Sequence, residues 1–319
     1  MRPMSRTFVR VTMTTAAVTC AAAPVVRSAL RAADVLDRPT HRSSHSLPVP
    51  RGGGVACAIG VLAGGVLARR EAEGLTGRQA LAVGVLTTTG LADDILGLPA
   101  ATRLAVQVAA GWCAGRGGAD VTGAMAFPVI VNVVNFMDGI NGITGLTALA
   151  WGVTGAAGGA PTVAALVAGA AAGFLPWNLP GGQLFLGDSG SYLFGSLIGS
   201  GVLSTSSARE AQLLLVPLLP YLADAGLTLR RRHVRLEPLL VAHREHAYKR
   251  LVHEAGLSHT QVAGSHAVLV AGLGLVAQRC RAPVATATGV VVALAWACAP
   301  AIVRRIRRDP RRSRKQLAH

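Results

Sequence analysis

The stretch FPVIVNVVNFMDGINGITGLTALAWGVTG, residues 127–155, is two apolar runs joined by a polar knot. Both runs are too apolar for helices facing water. The knot between them holds Asn132, Asn135, Asp138 and Asn141. Working outward, the same alternation recurs along the whole chain. Eleven candidate spans stand at about 11–30, 53–68, 77–92, 103–115, 122–137, 143–158, 161–177, 190–206, 211–229, 262–278 and 283–303. Several are shorter than the roughly 20 residues that a bilayer asks of a helix, so their ends are expected to run into the flanking polar segments. The alternation of a transmembrane β-strand appears nowhere. The fold expected is all-α: a polytopic transmembrane helical bundle of about 10–11 spans, forming one transmembrane domain over residues 1–303, with a basic tail over 304–319.

Composition agrees. The 319 residues are 51% hydrophobic and 14% charged, against about 25% charged in soluble domains. Abundant Ala and Gly with few aromatics suit close helix packing in lipid. The first 30 residues resemble a signal peptide in part, but no polar mature domain follows, so a first span crowded by Arg10 and Arg27 is expected. The five cysteines lie in or beside apolar runs without a CxxC pair and read as small apolar residues.

The net charge of +16 brings no nucleic-acid motif with it. Its distribution reads instead as topology. Of the Arg and Lys residues, 21 follow odd-numbered spans and 10 lie on the opposite side. The positive-inside rule then places the odd breaks and the C-terminus in the cytoplasm and the N-terminus outside. The basic tail is expected on anionic headgroups. The same odd breaks hold nearly every unusual polar cluster, which points to one chemically active face.

Five clusters stand out. Asp93-Asp94 in LADDILGLPAATR pairs carboxylates at a span end, where repulsion and desolvation are tolerated for handling cations or protons; a solvated helix terminus is the plainer reading. NVVNFMDGINGITG, 132–145, is an amide–acid–amide set able to hold Mg²⁺ and read a base edge, or an ordinary turn. FLGDSGS, 185–191, puts Asp188 among small residues just before a span, where it can face metal while backbone N–H groups face phosphate. AHREHAYKR, 242–250, carries His243, Arg244, His246, Lys249 and Arg250 and reads as a phosphate clamp; zinc on His243, His246 and His253 is disfavoured by the surrounding cations. DRPTHRSSHSLPVPRGGG, 37–54, is not a Walker loop. Its Arg42, His45 and Arg51 suit phosphate or headgroup binding, and a loop with interfacial charges alone fits its composition equally well.

At these motifs, from about Asp37 to His259, the chain resembles the polyprenyl-phosphate N-acetylhexosamine-1-phosphate transferases. The RSSH…PRGGG, NFMDGING and AHREHAYKR versions look most like the bacterial branch that starts O-antigen and related surface glycans. The resemblance implies that a polyprenyl phosphate, undecaprenyl or decaprenyl, attacks the sugar-linked phosphorus of a UDP-sugar. UMP leaves and the polyprenyl-diphosphate-sugar forms. GlcNAc and 6-deoxy-HexNAc are the sugars implied. Mg²⁺, with Mn²⁺ as a substitute, is the implied cofactor, at Asp188 and Asn135. Asn141 corresponds to the uracil-reading residue, with Phe185 placed to stack on the ring. Asp93 and Asp94 match the acidic pair near the lipid phosphate, and Arg103 a basic phosphate ligand. His243, Arg244 and His246 match the loop that holds the diphosphate, while Asn132, Asp138 and His45 complete the substrate-binding set. Lys249 stands where this branch often has Gln, and Gly181-Gly182 replaces a more apolar pair. The partners implied are the UDP-sugar, polyprenyl phosphate and membrane lipid, with a homodimer left open. A transporter or flippase of an anionic lipid or nucleotide-sugar is the competing reading. It fits less well, because the polar motifs sit at span ends rather than mid-membrane and no repeat is visible.

Overall fold

The computed structural model describes residues 5–39, 47–70, 74–115, 120–179, 181–237 and 245–308. Its helices are α1 (Arg6–Ala32), α2 (Gly54–Arg70), α3 (Gly77–Leu96), α4 (Ala100–Ala114), α5 (Val121–Met137), α6 (Ile143–Gly155), α7 (Pro161–Asn178), α8 (Gly187–Leu203), α9 (Ala208–Leu215), α10 (Leu219–Val234), α11 (Ala247–His253), α12 (His259–Arg279) and α13 (Ala282–Arg308). A single 3₁₀ turn, Val216–Leu218, joins α9 to α10, making one apolar rod from Ala208 to Val234. Each expected span coincides with one of these helices or with that rod. The protein is an all-α polytopic membrane bundle. Four of its helical segments, Arg6–Ala32, Ala208–Val234, His259–Arg279 and Ala282–Ile306, are long and apolar enough to cross a bilayer on their own measure.

The helix ends differ from expectation in an informative way. Helix α3 runs to Leu96, so Asp93 and Asp94 lie inside its last turn, and α8 starts at Gly187, so Asp188 lies inside its first. Each of these carboxylates has bonded partners in the fold. The remaining surprises are α11 and a two-residue antiparallel pairing of β1 (Leu36–Asp37) with β2 (Val49–Pro50). Helix α13 passes through Arg304 and Arg305 without a break; residues 309–319 of the basic tail lie outside the described residues.

Helices α7 and α8 form the centre and are buried along nearly their whole length. Small residues set how closely their neighbours approach. Gly169 and Gly173 of α7 lie against the Thr12 and Ala16 carbonyls of α1, and a Cβ at Gly169 would sit 2.5 Å from the Thr12 oxygen. Gly60 and Gly64 of α2 face Thr19 and Thr15 on α1. Helix α1 is thus held between two small-xxx-small faces, which is how apolar helices associate where lipid supplies no hydrophobic drive. Helix α5 continues through Pro128, and the Asn132 amide, one turn on, donates to the Pro128 carbonyl at 2.7 Å. The cysteines among these helices are unpaired thiols.

Candidate active site

Adjacent carboxylates on a helix point about 100° apart, and Asp93 and Asp94 accordingly meet different partners. Helix α3 ends at Gly97 in the left-handed conformation (φ 65°), which glycine adopts without steric cost. Asp93 braces that end: Oδ1 accepts the Leu98 N–H at 2.7 Å and Oδ2 pairs with Arg103 Nη1 at 2.8 Å. Asp94 faces inward with no solvent exposure. Its Oδ1 accepts the Asp188 N–H at 2.8 Å, and its Oδ2 accepts the Ser189 N–H at 3.0 Å. Asp94 therefore caps α8, satisfying two of the backbone donors that a helix start leaves unpaired.

That cap turns the Asp188 side chain toward the opening. Its Oδ1 accepts from the Asn135 amide at 2.6 Å, and its Oδ2 pairs with Arg51 Nη2 at 2.7 Å. The Asn135 amide also reaches the Ser191 hydroxyl, at 3.0 Å. Arg51 is the hub, because its Nε binds Asp94 at 2.8 Å while Nη2 binds Asp188. Side-chain exposure separates the roles: 0% for Asp94, 15% for Asp188 and 37% for Arg51. One carboxylate is sealed in the fold, and the other, with its arginine, meets solvent. Close approach depends on Gly187 (φ 74°), where a Cβ would lie 2.5 Å from the Asp94 carboxylate.

Backbone bonds dock the PRGGG segment on the FLGDSGS segment. The Phe185 N–H donates to the Pro50 carbonyl at 2.9 Å, and the Gly53 N–H to the Phe185 carbonyl at 2.8 Å. This pairing carries Arg51 to the carboxylates. Composition offered Arg51 only as one of several loop cations. Its position between Asp94 and Asp188 comes from a contact 137 residues distant in sequence from Asp188.

A second group of residues borders this centre. Gly182 (φ 60°) lies between Asn141 and Phe185: a Cβ there would be 2.6 Å from the Asn141 amide nitrogen and 2.9 Å from the Phe185 ring. The two residues expected to read and stack a base thus stand on either side of the buried Gly182, each partly exposed. Asn178, which sequence reading passed over, staples the two loops that carry them. Its Oδ1 accepts the Gly142 N–H at 2.6 Å, and its Nδ2 donates to the Leu184 carbonyl at 3.1 Å. A buried asparagine at a helix end was the only signal available. The Asn141 N–H is directed at His259 Nδ1, at 3.3 Å.

Asp138 closes α5 and is partly enclosed. Burial pushes its carboxyl up to about 7. The charges of Asp188 and Asp94 add to the rise, while the Thr144 hydroxyl and Arg51 oppose it. Asn132 is not drawn into this centre. One turn before Asn135, it pairs with Gln107 of α4, its amide at 2.5 Å from the Gln107 oxygen. His246 is buried beside Asp224 at 3.3 Å, on a segment away from the acidic centre's first contacts. His45, His243 and Arg244 lie outside the described residues.

The donor set around Asp188 suits a hard cation: one part-exposed carboxylate, an amide and the Ser191 hydroxyl. Among the described residues no three His, Cys, Asp or Glu side chains gather as a complete metal cage. Such a site fits an ion that takes one or two protein carboxylates and completes its shell with water and phosphate oxygens, as Mg²⁺ does.

Comparison with known proteins agrees with this geometry. The model of glycosyl transferase family 4 matches residues 118–206, which span the Asn135, Asp138, Asn141 and Asp188 motifs. The chain is 30% identical over 282 residues to the decaprenyl-phosphate N-acetylglucosaminephosphotransferase of Mycolicibacterium smegmatis, covering 69% of this chain and 69% of that relative. It is 30% identical over 176 residues to the undecaprenyl-phosphate alpha-N-acetylglucosaminyl 1-phosphate transferase of Thermotoga maritima, covering 52% of this chain and 56% of that relative. With 30% identity over an alignment that covers 69% of a relative, and the family's ordered motifs folded against one another, the chain belongs to the polyprenyl-phosphate N-acetylhexosamine-1-phosphate transferases of glycosyl transferase family 4.

Proposed function

We propose that this protein transfers a HexNAc-1-phosphate from a UDP-sugar to a polyprenyl phosphate, undecaprenyl or decaprenyl, at the cytoplasmic face of the cell membrane. A lipid-phosphate oxygen attacks the sugar-linked phosphorus. The bond from that phosphorus to the bridging oxygen breaks, and UMP leaves with the oxygen. The sugar C1–O bond is untouched, so anomeric configuration is retained. GlcNAc is the favoured sugar, because both relatives are named for it. The product is the first lipid-linked sugar of a cell-surface glycan.

One observation carries the reading: the Arg51–Asp188–Asn135 cluster, fixed by Asp94, on the segment that also carries Phe185 beside Asn141. A bound Mg²⁺ at Asp188 and Asn135 would neutralise the diphosphate and polarise the phosphorus under attack. Arg51 supplies a cation at the same place. Asn141 and Phe185 hold the uracil. Arg103, braced by Asp93, takes the lipid phosphate. A phosphate monoester is largely dianionic at neutral pH, its second pKa being about 6. Positioning and charge neutralisation are therefore the main demands, and Asp93, engaged with Arg103 and Leu98, serves orientation rather than proton removal. The cytoplasmic assignment rests on the excess of Arg and Lys in the breaks that hold these motifs.

The test is a membrane assay with polyprenyl phosphate and Mg²⁺ across a panel of UDP-sugars. UMP release with UDP-GlcNAc, abolished by EDTA and by Asp188→Ala, is expected. No release with any sugar, or full activity in Asp188→Ala, overturns the reading.

A further inference from the structure

One buried carboxylate lies outside this centre. Asp224, on α10, is fully enclosed. Its Oδ1 accepts the N–H of Ala247, the first residue of α11, at 2.9 Å and stands 3.3 Å from His246 Nδ1. Thr228, one turn along α10, donates to the same oxygen at 3.4 Å. Oδ2 is buried without a protein hydrogen-bond partner among the described residues. A carboxylate so placed costs free energy in hydrocarbon surroundings, and a seven-residue helix is too short to hold itself. The two facts explain each other if the carboxylate is what holds the helix.

The neighbouring contacts extend the hold. Asp224, Thr228 and Arg232 are four and eight residues apart, share one face of α10 and are all buried. Arg232 Nη1 lies 3.6 Å from Glu245. Helix α10 thus grips three consecutive residues, Glu245, His246 and Ala247. From that anchor α11 reaches the site. The Tyr248 hydroxyl donates to the Phe136 carbonyl at 3.0 Å. The Lys249 ammonium lies over the turn after Asp138, 3.0 Å from where a Cβ on Gly139 would stand.

We propose that Asp224 is a positioning residue: its buried carboxylate docks α11 through His246 and Ala247, and thereby sets where Lys249 and its basic neighbours meet the Asp138–Gly142 turn and the diphosphate of the nucleotide sugar. The catalytic part of this inference rests on the transfer reaction proposed above; the docking part does not.

Amide hydrogen exchange on the full chain in detergent separates the two. In Asp224→Asn, exchange of residues 247–253 is expected to rise about tenfold or more, while α7, α8 and α12 keep their protection. Ala247→Pro is the companion variant. It deletes the donated N–H at a first helical position, where proline is tolerated, and His246 already has the extended conformation (φ −57°, ψ 143°) that a following proline requires. It should loosen the same segment and no other. Kinetically, both variants should lower kcat/KM for the UDP-sugar about tenfold, with half-saturation by polyprenyl phosphate within about twofold of the parent. Unchanged exchange in 247–253 in both variants, or no protection there in the parent, overturns the docking. Local loosening with unaltered UDP-sugar kinetics overturns the positioning role. A parent protein without transferase activity would instead remove the functional reading and leave the exchange result standing.

Discussion

Asp94 accepts the backbone N–H of Asp188 at 2.8 Å across 94 residues of sequence. That bond makes one acidic residue the mount for another. Because Asp94 is sealed from solvent and Asp188 is not, the two should respond differently to mutation.

Asp94→Ala removes the α8 cap and leaves the inner side of Arg51 without its carboxylate. Leaving the Asp188 and Ser189 N–H groups without their acceptor costs about 1–3 kcal/mol, so the melting temperature in detergent should fall clearly and activity with it. Asp188→Asn keeps the shape and the Asn135 contact within reach. It should melt close to the parent while losing transfer by about 100-fold or more, since the charge proposed to hold the metal is gone. Equal loss of stability in both variants would contradict the division of labour.

Arg103 is partly exposed, and Asp93 holds it from behind at 2.8 Å. Arg103→Ala should raise the half-saturating concentration of polyprenyl phosphate by about tenfold, the size of one charge-assisted contact, and leave that for the UDP-sugar nearly unchanged. Asp93→Asn should lower the rate with no shift in its pH profile. A lost acid limb in that variant would instead mark Asp93 as a proton acceptor.

Asp138 carries the clearest pH signature outside the helices. Its carboxyl in the folded protein is pushed up to about 7, above the ordinary carboxylate value of about 3.9. The folded state therefore prefers the neutral acid. This group's relative stabilisation is complete below the unfolded pKa and fades as pH rises through about 7. In metal-free buffer the melting temperature should fall from about pH 4 to about pH 7 and level off above that, and Asp138→Asn should flatten that slope. Thermal unfolding across this range, with EDTA present, is the measurement.

Gly182 packs between Asn141 and Phe185 with no room for a side chain. Gly182→Ala would place a methyl group against both residues, at a backbone angle (φ 60°) that alanine adopts with strain. The KM for the UDP-sugar should rise about tenfold or more, whereas polyprenyl phosphate should bind as before. Competition by UMP in the same assay would report the same loss, because the defect lies at the nucleotide end.

The helical membrane bundle was legible in the sequence alone, because lipid allows no other economical way to satisfy so many backbone groups in apolar runs. The segregation of Asp93-Asp94, the 132–145 knot and the GDSGS turn into alternate breaks was legible as well, since charge and apolar length are local properties. What each polar residue does was not. Asn132 and Asn135 are three residues apart with similar neighbours, yet one pairs with Gln107 and the other with Asp188. Asp93 and Asp94 are adjacent, yet one braces Arg103 and the other caps α8. Arg51, Asn178 and Asp224 gained their places only when distant segments met. Hydrogen bonds and ion pairs act over about 3 Å, and only the tertiary structure decides which groups come that close.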